Sequence, residues 1–225
     1  MSGRVRTGRR KRTTTASILS RLQLGLEALY RVRTDLHVDA FVIDEEQRRE
    51  AGVARAPREQ LLIREEDGEL GMGLFVDRAA LANLERNDPG RRLDDGNFGD
   101  FCLALEGVSH FVYLALCAAG HRRVSALELE LQAEVDKFVC CVLLQGPSPD
   151  LRRRLFHDVR FADDLDSEER DRYRTANEEA ARYAAGLERR FVRERRVGEM
   201  LHELRHFYRL PLDDKRGLIA RHAPR

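Results

Sequence analysis

Residues 98–145 read FGDFCLALEGVSHFVYLALCAAGHRRVSALELELQAEVDKFVCCVLLQ, and this stretch decides the fold. Apolar side chains recur at helical spacing from about Phe98 to Ala119. Gly120 follows as a stop, placed to take a left-handed C-terminal cap. Ser125 opens a second helix: its hydroxyl can accept from the amide three residues on while Glu128 reaches back, a capping box. That helix ends at Gly146 and Pro147. The short link from Gly120 to Ser125 requires an antiparallel return, and both helices are apolar enough to form a core.

The first of these helices needs a membrane check, because Phe101–Ala119 approaches the ~20 residues that span a bilayer. Glu106 and His110 lie near its middle, and one central acid costs about 2.5–3.5 kcal/mol on insertion. A buried core helix is therefore expected, with no membrane association.

Toward the N-terminus, Ser17 can cap a helix in which Ile18, Leu19, Leu22, Leu26, Leu29 and Tyr30 recur at helical spacing. Val38–Ile43 favours a strand. Leu61–Arg64 and Leu70–Val76 flank the turn-forming Glu65–Gly68, which reads as a β-hairpin. A short helix is expected over Arg78–Leu84. Asp88-Pro89-Gly90 and Asp94–Asn97 then mark a loop.

Beyond the central pair, a loop is expected from Pro149 to Asp166. A polar helix over Glu168–Arg190 carries a thin apolar stripe of Tyr173, Ala180, Tyr183 and Leu187. Val197–Tyr208 is more clearly amphipathic and ends at Pro211, and a last short helix covers Lys215–Arg221. The fold class is therefore mainly α: a helical body around an antiparallel helix hairpin (98–225), with a small N-terminal α+β element containing a β-hairpin (17–97), the two forming one compact unit. Residues 1–16 read as a flexible basic arm.

Charged residues make up 35% of the chain but nearly cancel, 40 basic against 39 acidic. That excludes a chain-wide attraction to nucleic acid and predicts a surface laced with both signs. Lysine occurs at Lys11, Lys137 and Lys215 alone, leaving 37 arginines among the 40 basic residues. With the abundant alanine and leucine, this reads as the codon bias of a GC-rich, bacterial-like genome, and arginine-rich stretches are discounted accordingly. Cys102, Cys117, Cys140 and Cys141 sit in apolar helical runs without C-x-x-C spacing. Free thiols in a reducing compartment are expected, hence a cytoplasmic protein. No apolar signal segment closely follows the charged N-terminus.

Three constellations bear on function. His202-Glu203-Leu204-Arg205-His206 matches H-E-x-x-H, in which histidines one turn apart share a zinc and the glutamate polarises its water as general base. On a helical wheel these residues face almost directly away from Val197, Met200, Leu201, Leu204, Phe207 and Tyr208, so a solvated polar face is the favoured reading. The second is Glu106 with His110, four apart on the most apolar helix, where both must be paired or must bind something. Glu130, Glu134 and Lys137 of the facing helix can meet them, as a metal site or as a structural pair. The third is the arm, where Arg9, Arg10, Lys11 and Arg12 can neutralise nucleic-acid phosphates or dock on an acidic partner.

There is no glycine-rich phosphate loop, nucleophile elbow or dinucleotide fingerprint. The reading is a cytosolic protein-interaction or regulatory module presenting a charged surface to a protein partner. The alternative is a zinc-dependent hydrolase with Glu203 as base and His202 and His206 as ligands. A nucleic-acid binder acting through the arm is the third.

Overall fold

The computed structural model describes residues 16–52, 55, 57–66, 69–159 and 161–222. The basic arm, with Arg9, Arg10, Lys11 and Arg12, lies outside the described residues, as do the two residues at the tip of the hairpin.

The centre is the expected antiparallel pair, α4 (Phe98–Ala119) and α5 (Ala126–Gln145). Before it come α1 (Ile18–Tyr30), α2 (Glu45–Glu50), the strands β1 (Glu59–Glu66) and β2 (Glu69–Val76), and α3 (Arg78–Arg86). After it come α6 (Ser167–Leu187), α7 (Val197–Arg209) and α8 (Leu212–His222). The fold is mainly helical with one two-stranded antiparallel sheet, paired from Glu59 with Val76 to Glu66 with Glu69.

Both strands lie against α4, α6 packs along α5, and α1 crosses α4 and α7. One hydrophobic cluster joins these layers. It runs from Leu26 and Leu74 through Phe101, Phe111 and Phe138 to Leu187 and Phe207, so residues 17–97 and the helical body share a core. Among the described residues, α4 alone is long and apolar enough to cross a membrane, and most of it is buried inside the fold.

Arginine does structural work at the C-terminus of α1, whose last turn holds no cation of its own. Arg205 Nε of α7 donates to the Leu29 carbonyl at 2.9 Å, and Arg209 donates to the Tyr30 carbonyl at 3.1 Å. These bonds satisfy carbonyls that a helix end leaves open, and place positive charge at the negative end of the dipole.

Several local expectations change in the folded chain. Val38–Phe41 forms a 3₁₀ turn instead of a strand, and only Val42 makes a bridge, parallel to Leu74. The turn wins because side chains of α1 hold it: Gln23 accepts from the Val38 amide at 2.8 Å, and Ser17 and Ser20 donate to Asp39 at 2.6 and 2.7 Å. At the end of α4 the left-handed residue is His121 (φ 51°), while Gly120 keeps φ −87°. Ser125 caps α5 as expected, but the Glu128 carboxylate turns inward to Tyr113 and Arg122 at 2.6 and 2.8 Å, so the reciprocal half of the box is missing. The loop after α5 contains a π-helical turn over Arg153–His157, and α6 runs into a second over Glu188–Val192. Helix α2, capped by a box between Asp44 and Gln47, is too short and polar to show a periodicity.

Candidate metal centre

Helical periodicity builds one cluster from both central helices. Glu106 and His110 stand one turn apart on α4. Glu130, Glu134 and Lys137 follow at four- and three-residue intervals on α5, so all three face the same seam. The antiparallel hairpin turns the two polar stripes toward each other, and β1 brings Glu59 over the top of α4.

Lys137 Nζ donates to Glu106 Oε2 at 3.0 Å and to Glu134 Oε1 at 2.6 Å. His110 is less well served. Its Nε2 lies 3.4 Å from Glu130 Oε2 and its Nδ1 lies 3.9 Å from Glu59 Oε1. Neither approach has the length and direction of a hydrogen bond. His110 is 8% exposed, yet its Nε2 has no hydrogen-bond partner among the described residues. The Glu59 side chain is 8% exposed, and its Oε1 likewise makes no hydrogen bond among the described residues. Buried polar atoms without hydrogen bonds are uncommon and costly, and here two of them belong to neighbouring side chains, His110 and Glu59, with Glu59 at the Nδ1 side of the ring and Glu130 at the Nε2 side.

The electrostatics follow from this packing. Burial opposes charge on His110, but Glu130, Glu59 and Glu106 outweigh it and carry the imidazole up to about 9. Burial raises Glu59 to about 8, with Glu106 and Glu130 adding to it and His110 opposing. Burial would also raise Glu106, but Lys137 and His110 hold it below its ordinary value. Tyr173 of α6 is raised by burial first, then by Glu130, Glu106 and Glu59, which places its phenol within the field of the cluster.

Glu106, His110 and Glu130 each offer a ligand atom, and these three atoms lie within 4.8 Å of one another. Some point lies within about 2.8 Å of all three atoms so spaced, so shifts of about 0.6 Å would give ordinary metal–ligand lengths of ~2.0–2.2 Å. This is the one such group of three or more donors among the described residues. It combines the second sequence constellation with Glu130, which the facing helix was expected to supply. Glu59 carried no sequence signal: a glutamate at the start of a strand reads as solvated.

The close approach of β1 to α4 depends on Gly107. A Cβ there would stand 2.8 Å from both Glu59 Oε1 and Leu74 Cδ1, with Leu74 fully buried. Gly107→Val is expected to cost about 3 kcal/mol through overpacking, read from urea melts. A loss below about 0.5 kcal/mol would show that the hairpin can lift away from α4 freely.

His202 and His206 are exposed on α7, as the wheel requires. Glu203 lies apart from that solvated face: its side chain is 14% exposed and both its oxygens accept from Arg190. The structure thus brings Glu106 and His110 together with further donors, while the two α7 histidines gather no third ligand among the described residues.

A separate groove between α2 and β2 is lined by Arg48, Arg58, Phe75 and Asp77. Two of its cations are engaged, Arg58 by Asp77 and Asp100, and Arg48 by Glu45 and the Pro57 carbonyl. All four cysteines are free, with Cys117 and Cys141 buried and Cys102 and Cys140 half-buried.

Set against family models, curated proteins and solved structures, the chain matches none of them.

Proposed function

We propose that this chain is a metalloprotein that binds one divalent transition-metal ion through Glu106, His110 and Glu130, with Glu59 beside them. The observation that carries the reading is the convergence of three donor atoms within 4.8 Å of one another, with a buried imidazole nitrogen and a buried carboxylate oxygen that make no hydrogen bond among the described residues. Two carboxylates and one imidazole suit zinc, iron or manganese better than calcium or copper. Charge agrees with it. Four glutamates face one ammonium and one imidazole, and a divalent cation taking the place of the imidazole's proton brings the cluster closer to neutrality.

Three protein ligands leave coordination positions open, the arrangement of a site that activates water or polarises a bound oxygen. Glu106 is the more exposed ligand, at 22%, so access runs from its side. The reading replaces the H-E-x-x-H hydrolase with a different ligand set for the same class of chemistry.

The test is calorimetric titration of metal-stripped protein with zinc and with manganese. Wild type is expected to take one equivalent. His110→Ala should weaken binding at least about 100-fold, the scale set by losing a ligand rather than an outer partner. His202→Ala/His206→Ala should leave the equivalent in place. Binding lost in the α7 double variant and kept in His110→Ala would move the site to α7, and no binding in wild type would end the metal reading.

The protein-interaction reading stands second. Leu143 and Leu144, at the end of α5, are 44% and 45% exposed and are its nearest support. Two adjacent leucines are a small patch beside the several hundred Å² that mark a docking face.

A further inference from the structure

We infer that the Lys137 ammonium occupies the second cation position of a carboxylate-bridged pair, so that the centre is built for one metal ion and Glu134 serves the ammonium. The inference rests on the metal reading above and adds what sets its stoichiometry.

In two-ion carboxylate centres the ions sit about 3.5–4 Å apart and share a bridging carboxylate. Glu106 has the position of such a bridge. It belongs to the donor group formed with His110 and Glu130, and its Oε2 accepts from Lys137 Nζ at 3.0 Å. The far side of a second ion would need another carboxylate, and Glu134 is there, with Oε1 accepting from the same ammonium at 2.6 Å. Glu134 Oε2 is buried and makes no hydrogen bond among the described residues. Lys137 itself is sealed in, its side chain 11% exposed. One observation independent of the carboxylates points into the cluster: the Nε2 of His110, a residue 8% exposed, makes no hydrogen bond among the described residues.

An ammonium and a divalent ion differ in what they do for a bridging carboxylate. Lysine supplies one positive charge and three donors but no open coordination position, so it can accept no water or substrate oxygen. It also engages Glu106 Oε2 and Glu134 Oε1, which leaves the other oxygen of Glu106 for the ion. A centre with this arrangement does one-metal chemistry on a ligand set that would otherwise hold two.

The test compares metal-stripped wild type, Lys137→Met and Lys137→Arg, titrated with Mn(II) and followed by calorimetry and electron paramagnetic resonance. Wild type should bind one equivalent and show an isolated Mn(II) signal. Lys137→Met should bind two, with the exchange-coupled spectrum of neighbouring ions, and Lys137→Arg should return to one. Two equivalents in wild type, or one in a folded Lys137→Met protein, overturns the inference and leaves the metal reading standing. No equivalent in wild type removes the metal reading itself. Should Lys137→Met fail to fold, nitrogen-15 lysine labelling of wild type decides the matter, since only Lys11, Lys137 and Lys215 are labelled. The buried Lys137 ammonium resonance is expected to persist through one equivalent of zinc, and its disappearance at that point would mean that the ion displaces the lysine.

Discussion

Asp136→Ala is expected to remove about 4 kcal/mol of folding stability, the largest effect of any single substitution outside the apolar core. Asp136 is fully buried on α5, and its carboxylate ties three helices together. Oδ1 accepts from the Tyr30 hydroxyl of α1 and from Gln132 Nε2 at 2.8 Å, while Oδ2 accepts from the Ser109 hydroxyl of α4 at 2.6 Å. Alanine leaves the Tyr30 and Ser109 hydroxyls without an acceptor, at about 1–3 kcal/mol each before relaxation, and Gln132 Nε2 with only the Tyr30 oxygen at 3.3 Å. Asp136→Asn keeps an acceptor oxygen and should cost about half as much. Urea melts of both variants check this. An alanine variant within about 1 kcal/mol of wild type would mean that water enters and satisfies the donors.

Lys215 gives the second large effect, and it appears as a pH dependence. Its ammonium is fully buried, donates to Gln132 Oε1 at 2.6 Å and lies 4.4 Å from the centre of the Tyr113 ring. Burial lowers its pKa from 10.5 to about 7 against the pull of Glu128 and Asp136. Between those values the unfolded chain carries a proton that the folded chain does not. Stability therefore rises with pH across that window: the penalty is full below pH 7 and gone above pH 10.5.

The quantity to measure is the stability of wild type minus that of Lys215→Met, from urea melts at intervals between pH 6.5 and 9.5. Other groups cancel in this difference. It should move in favour of wild type by about 1.4 kcal/mol per pH unit at most, or about 3 kcal/mol over the range. A flat difference would show that the folded protein keeps Lys215 charged throughout. Because Gln132 joins Lys215 to Asp136, the two substitutions should not be additive, and the double variant measures their coupling.

The central helices, their direction and most of the candidate site were legible in residues 98–145 alone. Apolar spacing and the stop at Gly120 place α4, Ser125 places the start of α5, and a short link leaves only the antiparallel arrangement. From that geometry Glu106 and His110 must face Glu130, Glu134 and Lys137, because positions three and four apart share a helix face. Long amphipathic elements are readable because the side chains that stabilise them lie within one or two turns in the sequence.

What tertiary structure decided was every choice that depends on partners distant in the chain. Val38–Phe41 has the composition of a strand, yet the hydroxyls and amide of α1 hold it as a 3₁₀ turn. Glu128 has the position of a capping-box residue, yet Tyr113 and Arg122 draw it inward. The H-E-x-x-H pattern is complete in sequence, but Arg190, thirteen residues away, takes its glutamate. Glu59 lies 51 residues before His110, and nothing local marks it as buried. It becomes part of the cluster because Gly107 lets the hairpin settle on α4. A local pattern records which conformations and faces a segment prefers. Whether a charged side chain ends in water or sealed beside another charge depends on which surface folds over it, and that information is spread over the whole chain.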